Sequence, residues 1–495
     1  MIEIEDQGDA EIAPLIDGEL QPSIETRRLQ LVNPATAAPT ASMSIGAPGD
    51  VDRAVEAARA AFRDGRWHKS PPSIRKAVLH RFADLIDRDA TTLDRIDAVD
   101  MGKPIGLATG SARSAASLMR FYAEAVDKCP GEAHDSSAGS LAVQIQAPFG
   151  VVGAVTPWNF PTMNALRKLA PALAAGNCVV HKPSELAPRA ALRLATLAAE
   201  AGVPRGVLNV VPGLGSTVGT ALAHHSDVDL ITFTGSTHVG KIIAESAGRS
   251  NMKAVIAECG GKSPHIIFDD GVDLDAACAF IARQILTNQG QLCSVGSRVL
   301  VQRSIEPRVT ERLTELMGKI AIGDPLDRTT TFGPLASQQQ FERVQGFVER
   351  AEARGIVRVL GGAGLAERPG FYFAPTLFRN VPPDAEIAQQ EIFGPVLSLI
   401  AFGSEEEAIA IANGTVYGLI SYVWSARIDT GLRVAAGLRS SVILNAAPPE
   451  GEGAGHAMAF EPAGQSGLRP EGGIAGMAAY LRRKSLWINY PATAA

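Results

Sequence analysis

Gly150-Val151-Val152-Gly153-Ala154-Val155-Thr156-Pro157-Trp158-Asn159-Phe160-Pro161 reads as an apolar strand that turns sharply into a helix, with Pro161 placed where a helix begins. The same unit repeats as far as Gly261. Apolar strands Val151–Val155, Cys178–His181, Val207–Val211 and Leu230–Phe233 alternate with helical segments Met163–Ala175, Ala187–Ala201 and Ser216–His224, and a further strand follows at Ala254–Glu258. Such alternation predicts a parallel sheet covered by helices on both faces, hence an α/β fold.

Working outward, residues 1–48 read as irregular, because Pro14, Pro22, Pro34 and Pro39 interrupt any period. Asp50 then caps an amphipathic helix carrying Val51, Ala54, Val55, Ala58, Ala61 and Phe62. Two more helices are predicted, from about Ser73 to Val99 and from about Ser111 to Val126. Leu141–Ala147 alternates like a half-exposed strand. A second α/β region runs from 261 to about 445, followed by a Gly- and Pro-rich loop at Ala446–Met458. The apolar tail Ser485–Tyr490 is strand-like and is expected to pair with Leu141–Ala147 or with the edge of a partner chain.

Composition narrows the function. A chain of 495 residues is long enough for about three domains with a cleft between them. A net charge of -6 leaves no general basic surface for nucleic acid. Five scattered cysteines without a C-x-x-C argue against a disulfide framework and a zinc site, and suit a reducing cytoplasm. The acidic start shows no signal-peptide pattern, and no apolar run is long enough to span a bilayer. A cytoplasmic enzyme or binding protein with no bound metal is expected.

Several motifs carry chemistry. Cys293, in Asn288-Gln289-Gly290-Gln291-Leu292-Cys293-Ser294 before the run Val299-Leu300-Val301, reads as a nucleophile on a tight loop beside a strand. Free cysteine is also a common buried small hydrophobe, the reading given to Cys129, Cys178, Cys259 and Cys278, although Cys259 adjoins the site. Glu258 ends a strand in Glu-Cys-Gly-Gly-Lys, where partial burial would raise its pKa into general-base range. Asn159 is either part of a rigid Pro-aromatic turn or a donor to a developing oxyanion.

Lys182 and Glu185, in His181-Lys182-Pro183-Ser184-Glu185, read as a surface pair or, at the carboxyl edge of a parallel sheet, as a ribose-hydroxyl site. Phe233-Thr234-Gly235-Ser236-Thr237-His238-Val239-Gly240 runs from strand to helix and offers free backbone N–H groups to a pyrophosphate. Gly213-Leu214-Gly215-Ser216-Thr217-Val218-Gly219 has G-x-G-x-x-x-G spacing and reads better as a plain turn. Glu391-Ile392-Phe393-Gly394-Pro395-Val396 reads alone as a simple turn.

Taken in this order, the motifs resemble the NAD(P)-dependent aldehyde dehydrogenase superfamily, from about residue 30 to 488. The resemblance implies an aldehyde dehydrogenase-like fold: a Rossmann-like parallel-sheet cofactor domain (1-126 and 149-260), an α/β catalytic domain (261-475) and a small β oligomerisation domain (127-148 and 476-495) that makes homodimers or homotetramers. It makes Cys293 the nucleophile, Glu258 the general base and Asn159 the oxyanion donor. It places Lys182 and Glu185 on the adenosine ribose, with Thr156 and Ser184 in the cofactor site. Gly215, Gly235, Ser236 and Val239 belong to the cofactor-helix region with Trp158 nearby, and Glu391 and Phe393 to the nicotinamide ribose. The chemistry runs through a thiohemiacetal and a thioester to the acid, which requires the site to favour Cys293 as thiolate. Because the CoA-acylating branch of the family lacks this glutamate, Glu258 favours hydrolysis. The Glu185 carboxylate would repel a 2′-phosphate, so NAD is expected over NADP.

In the family, the helix after Phe160 lines the substrate channel, which makes Asn164 and Arg167 substrate residues. An arginine is similar to what succinate-semialdehyde dehydrogenases place here, and its fork suits a carboxylate. Arg167-Lys168 reads equally well as a solvated helix face. The expected substrate is a polar or carboxylate-bearing semialdehyde. The alternatives are a broad-specificity aliphatic or aromatic aldehyde dehydrogenase and a catalytically silent dinucleotide-binding relative. Two features depart from the family pattern: Ala459-Phe460-Glu461-Pro462 replaces Pro-Phe-Gly-Gly, and Cys259 stands where a leucine is usual.

Overall fold

A computed structural model describes residues 11–446 and 455–490. The α/β class expected from the sequence is what it shows. Its largest sheet orders the strands Gly467–Leu468, Ala254–Glu258, Leu230–Thr234, Val151–Val155, Cys178–Lys182, Leu208–Val210, Leu15–Ile16 and Glu19–Leu20. The five central strands are mutually parallel. Val151–Val155 and Cys178–Lys182 are buried throughout, as strands covered on both faces must be. Each fully buried valine contributes about 1.5–3 kcal/mol.

From Val151–Val155 the chain first builds two strands on one side, then returns to add Leu230–Thr234 on the other. That reversal opens a crevice at the carboxyl ends of the strands. Register places Val155 beside Lys182 and Thr234 beside Glu258, so the residues that follow these strands all gather at that edge.

A second, seven-stranded sheet is parallel except at its Val357–Leu360 edge. Its central strand, Arg298–Gln302, begins with a buried arginine. The Arg298 guanidinium donates to the carbonyls of Lys262 (2.8 Å), Ile411 (2.9 Å) and Ala412 (2.8 Å), tying the loop after Glu258 to the second sheet. A third sheet is antiparallel. In it Leu481–Asn489 pairs with Ser140–Pro148 over nine residues, and Glu132–His134 lies on the far side. Of the two partners expected for the tail, the structure shows the strand of the same chain.

Four local expectations are corrected. Residues 11–48 carry five short strands, which the prolines punctuate: Pro39 opens its strand, and Pro14 and Pro22 lie between or beyond strands. Asp50 is not the cap residue, because the helix is Pro48–Asp64. Asp50 sits in its first turn and accepts hydrogen bonds from the backbone N–H groups of Ala47 and Ile24, both at 3.0 Å. The helix expected over 73–99 is two, Pro72–Arg88 and Ala90–Met101. They meet at Asp89, whose carboxylate accepts from Arg193 Nε at 2.6 Å. Ser216–His224 begins as a five-residue π-turn at Gly215–Gly219 before its short helix. Most of the Ala446–Met458 loop, residues 447–454, lies outside the described residues.

Candidate active site

Cys293, Glu258, Asn159, Asn164 and Arg167 line one cavity of about 560 Å³. Asn159 follows the central strand Val151–Val155 into the crevice, and three bonds fix its orientation. Its Nδ2 donates to Gln291 O at 2.9 Å, its Oδ1 accepts from Asn164 Nδ2 at 2.9 Å, and its backbone carbonyl accepts from Asn288 Nδ2 at 2.7 Å. One amide N–H of Asn159 therefore remains for the cavity. Asn164 lines the cavity and also decides which way the Asn159 amide faces.

The loop that carries Cys293 is strained. Asn288 and Gln289 take left-handed φ values of 49° and 56°, a conformation that costs a non-glycine residue on the order of 1 kcal/mol. Gln291 offsets the cost: its Nε2 donates to Asn288 O (3.0 Å) and its Oε1 accepts from Ala336 N–H (3.0 Å). On the other side the Cys293 backbone rests against Gly261, where a Cβ would lie 2.3 Å from the Cys293 carbonyl oxygen. Gly261 therefore has no room for a side chain.

The electrostatics overturn one expectation. The resting site does not favour a thiolate: burial pushes the Cys293 thiol up to about 11, and Arg167, which pulls it down, is outweighed. Burial, and then the charge of Glu471, likewise push Glu258 up to about 8, against Lys168 and Arg167. Its Oε1 is buried without a hydrogen-bond partner among the described residues. Near neutral pH both groups are thus mainly protonated. Arg167 and Lys168 are not one solvated face. Lys168 is fully buried and ion-paired with Glu471, whereas Arg167 is exposed in the cavity wall and has no hydrogen bond or ion pair among the described residues.

The remaining sequence-predicted residues lie outside this cavity, along the carboxyl edge of the first sheet and opposite it. Lys182 Nζ pairs with Glu185 Oε2 at 2.9 Å. Burial raises the Glu185 pKa, but Lys182 and the backbone donors, Gly215 among them, leave it below the usual value. Ser236 caps the helix Thr237–Arg249 by accepting from Val239 N–H at 3.3 Å, and a Cβ on Gly235 would meet the Phe233 ring. Trp158 and Phe393 stand edge to face, 5.4 Å apart. Glu391 Oε1 accepts from Gly261 N–H at 2.9 Å, and burial pushes this carboxyl up to about 7. Ser184 and Thr156 have their hydroxyls engaged in the chain itself: Ser184 accepts from Leu186 N–H, and Thr156 is bonded to His181 Nε2 at 2.8 Å. An acid–base pair at one end, a capped helix start in the middle and a carboxylate at the other end fit an extended dinucleotide.

Sequence reasoning missed Glu471, Gln340 and Arg343. Glu471 is paired across 303 positions. Gln340 Nε2 donates to Phe393 O at 2.7 Å, and Arg343 Nη2 donates to Glu391 O at 2.6 Å, together holding Phe393 at its left-handed φ of 60°. The Gly394-Pro395 that follows Phe393 is a sign of an unusual turn, but nothing in the sequence points to its partners.

The family model described as "Aldehyde dehydrogenase family" matches residues 21–486. The chain is 40% identical over 479 residues to the NADP/NAD-dependent aldehyde dehydrogenase PuuC of Escherichia coli, covering 96% of this chain and 95% of that one. Among solved structures it is similar to a gamma-glutamyl-gamma-aminobutyraldehyde dehydrogenase of Burkholderia cenocepacia (42% identity, TM-score 0.93, covering 98% of this chain and 97% of that one). It is also similar to an indole-3-acetaldehyde dehydrogenase of P. syringae in complex with NAD+ and IAA (41% identity, TM-score 0.93, covering 99% and 97%). Matched along nearly its whole length in sequence and in fold, the chain belongs to the aldehyde dehydrogenase family, oxidoreductases that act on aldehydes.

Proposed function

We propose that the protein oxidises an aldehyde with an anionic far end to the carboxylic acid, using NAD, with Cys293 as nucleophile and Glu258 as general base. The observation that supports this reading is the convergence of Cys293, Asn159 and Glu258 on one cavity whose wall holds Arg167, unpaired among the described residues. As Cys293 Sγ bonds to the carbonyl carbon, its proton passes to the Glu258 carboxylate, the nearby group whose pKa lies below that of the thiol. The oxyanion takes the remaining Asn159 N–H and the Cys293 backbone N–H. NAD, when bound between Lys182–Glu185 and Glu391, supplies a hydride acceptor. Cys293 is left as a thioester. Glu258, once it has passed the thiol's proton on to solvent, removes a proton from water as the water oxygen attacks the thioester carbonyl; collapse of the adduct frees the acid and expels the sulfur, which regains a proton.

The cavity falls within the range of about 300–1,000 Å³ typical of small-ligand sites. The aldehyde named for the Burkholderia relative is long and bears a carboxylate. The indole-3-acetaldehyde named for the P. syringae relative would leave Arg167 without a partner. Arg167→Ala is expected to lower kcat/KM for succinic semialdehyde by about 10- to 100-fold, the worth of a charged hydrogen bond, and to leave an uncharged aldehyde of equal length within about threefold. An unchanged ratio between the two substrates refutes the assignment.

Cofactor choice is proposed to rest on Glu185. Glu185→Gln removes the charge that would face a 2′-phosphate, and the NAD over NADP ratio of kcat/KM should fall by about tenfold. If the ratio stays put, discrimination lies elsewhere. Segments 1-126 and 149-260, which supply the first sheet except for its Gly467–Leu468 edge, are proposed as the cofactor domain and 261-475 as the catalytic domain. The third sheet (127-148 and 476-495) is proposed to make a homodimer or homotetramer. That reading is supported by the free edge of Leu481–Asn489 among the described residues and by its Trp487, which is 77% exposed.

A further inference from the structure

Behind the Glu258-Cys259-Gly260-Gly261-Lys262 turn lies a second, much smaller cavity, with about 10 Å³ of free volume, the room of one water-sized particle. Among the described residues its wall includes Lys262, Ser263, Arg298, Tyr417, Ser421 and Arg439, and no aspartate or glutamate. Lys262 and Ser263 are 2% and 3% exposed. Lys262 Nζ and Ser263 Oγ are both buried and make no hydrogen bond within the described residues. Two donors without acceptors therefore adjoin a space that also faces two guanidinium groups.

A buried charge without a counter-charge is costly, and the fold avoids it by neutralising the group or by taking up an ion. Arg298 is not open to neutralisation, since guanidinium stays protonated in proteins. Three of its N–H groups are already given to carbonyls, and Arg439 likewise donates to the carbonyls of Asn413, Thr415 and Tyr417. These carbonyls satisfy hydrogen bonds but carry no net charge. Among the described residues Glu391 is the carboxylate that acts on Lys262, against Arg298 and Arg343, and it does so from outside the cavity, held on Gly261 N–H. We propose that this cavity is a binding site for a single small anion of halide size, held by Lys262 Nζ and Ser263 Oγ in the field of Arg298 and Arg439. Without an anion, burial and then the Arg298 charge drive the Lys262 amine down to about 7; with one, the ammonium is retained. The consequence reaches the active site through the backbone, because Lys262 follows directly on Gly261, which touches the Cys293 carbonyl and binds Glu391.

Crystals of the full chain grown or soaked in bromide test the site without any substitution. An anomalous peak within about 3.5 Å of Lys262 Nζ is expected; density there that behaves as water alone overturns the proposal. In solution, Tm of the full chain is compared at constant ionic strength in chloride and in gluconate, which is too large to enter. Chloride at 100-fold over its dissociation constant should raise Tm by about 2 °C. Ser263→Ala, which keeps the charge but removes one donor, should shift the chloride midpoint upward severalfold, and Lys262→Met should abolish the chloride effect. If Lys262→Met fails to fold, the bromide crystals and the Ser263→Ala titration still decide. Equal Tm values in chloride and gluconate, or an unshifted midpoint in Ser263→Ala, reject the site.

Discussion

Cys293→Ala should lower aldehyde-dependent NADH formation by at least about 10⁴-fold, in line with the loss of a covalent nucleophile in other enzymes. The fold should survive. The loop around Cys293 is held by backbone contacts with Gly261 and by the bonds of Gln291 and Asn288, none of which uses the sulfur. NADH absorbance under saturating aldehyde measures the rate, and an unchanged melting temperature shows that the loss is chemical. A residual rate within about a hundredfold of the parent would move the nucleophile elsewhere, and Cys259, the neighbour of Glu258, would be the first sulfur to test.

The second large effect separates the two halves of the reaction. Glu258→Gln keeps the size of the side chain but removes the base, so thioester hydrolysis should slow by about 10²- to 10⁴-fold. Acylation loses Glu258 as the acceptor of the thiol proton as well, but that proton can leave to bulk water reaching the cavity, so acylation should slow less than hydrolysis. One equivalent of NADH per site should therefore appear in a burst before the rate stalls. The pH profile carries the sign. Because the Glu258 pKa is raised to about 8, the acid form dominates below that pH and the carboxylate above it, so kcat should climb as pH rises through about 8. In Glu258→Gln that rise should vanish. A variant that retains both the steady-state rate and the rise would show that another group activates the water.

The repeating strand and helix pattern around Val151–Val155 was legible because both periods are local, and Ala254–Glu258 was read to the residue. Cys293, Glu258 and Asn159 were legible through motif and order, and the structure sets them around one space. The protonation of Cys293 was not legible, since burial is a property of the assembled fold. Nor was the fate of Lys168, which sits next to Arg167 in sequence yet turns inward to an acid near the far end of the chain. Leu15–Ile16 and Glu19–Leu20 escaped because two-residue strands leave no period, and only pairing to distant Val210 fixes Leu15 in the sheet.

The antiparallel contact of Gly467–Leu468 with Ala257 and Glu258 has a consequence for synthesis. While the polypeptide emerges from the ribosome, the strand ending in Glu258 keeps an open flank until Gly467–Leu468 has also emerged. Exposed strand flanks of that kind invite wrong pairing with other nascent chains. Termination shortly before Gly467 would therefore leave Ala254–Glu258 as a bare edge of the sheet.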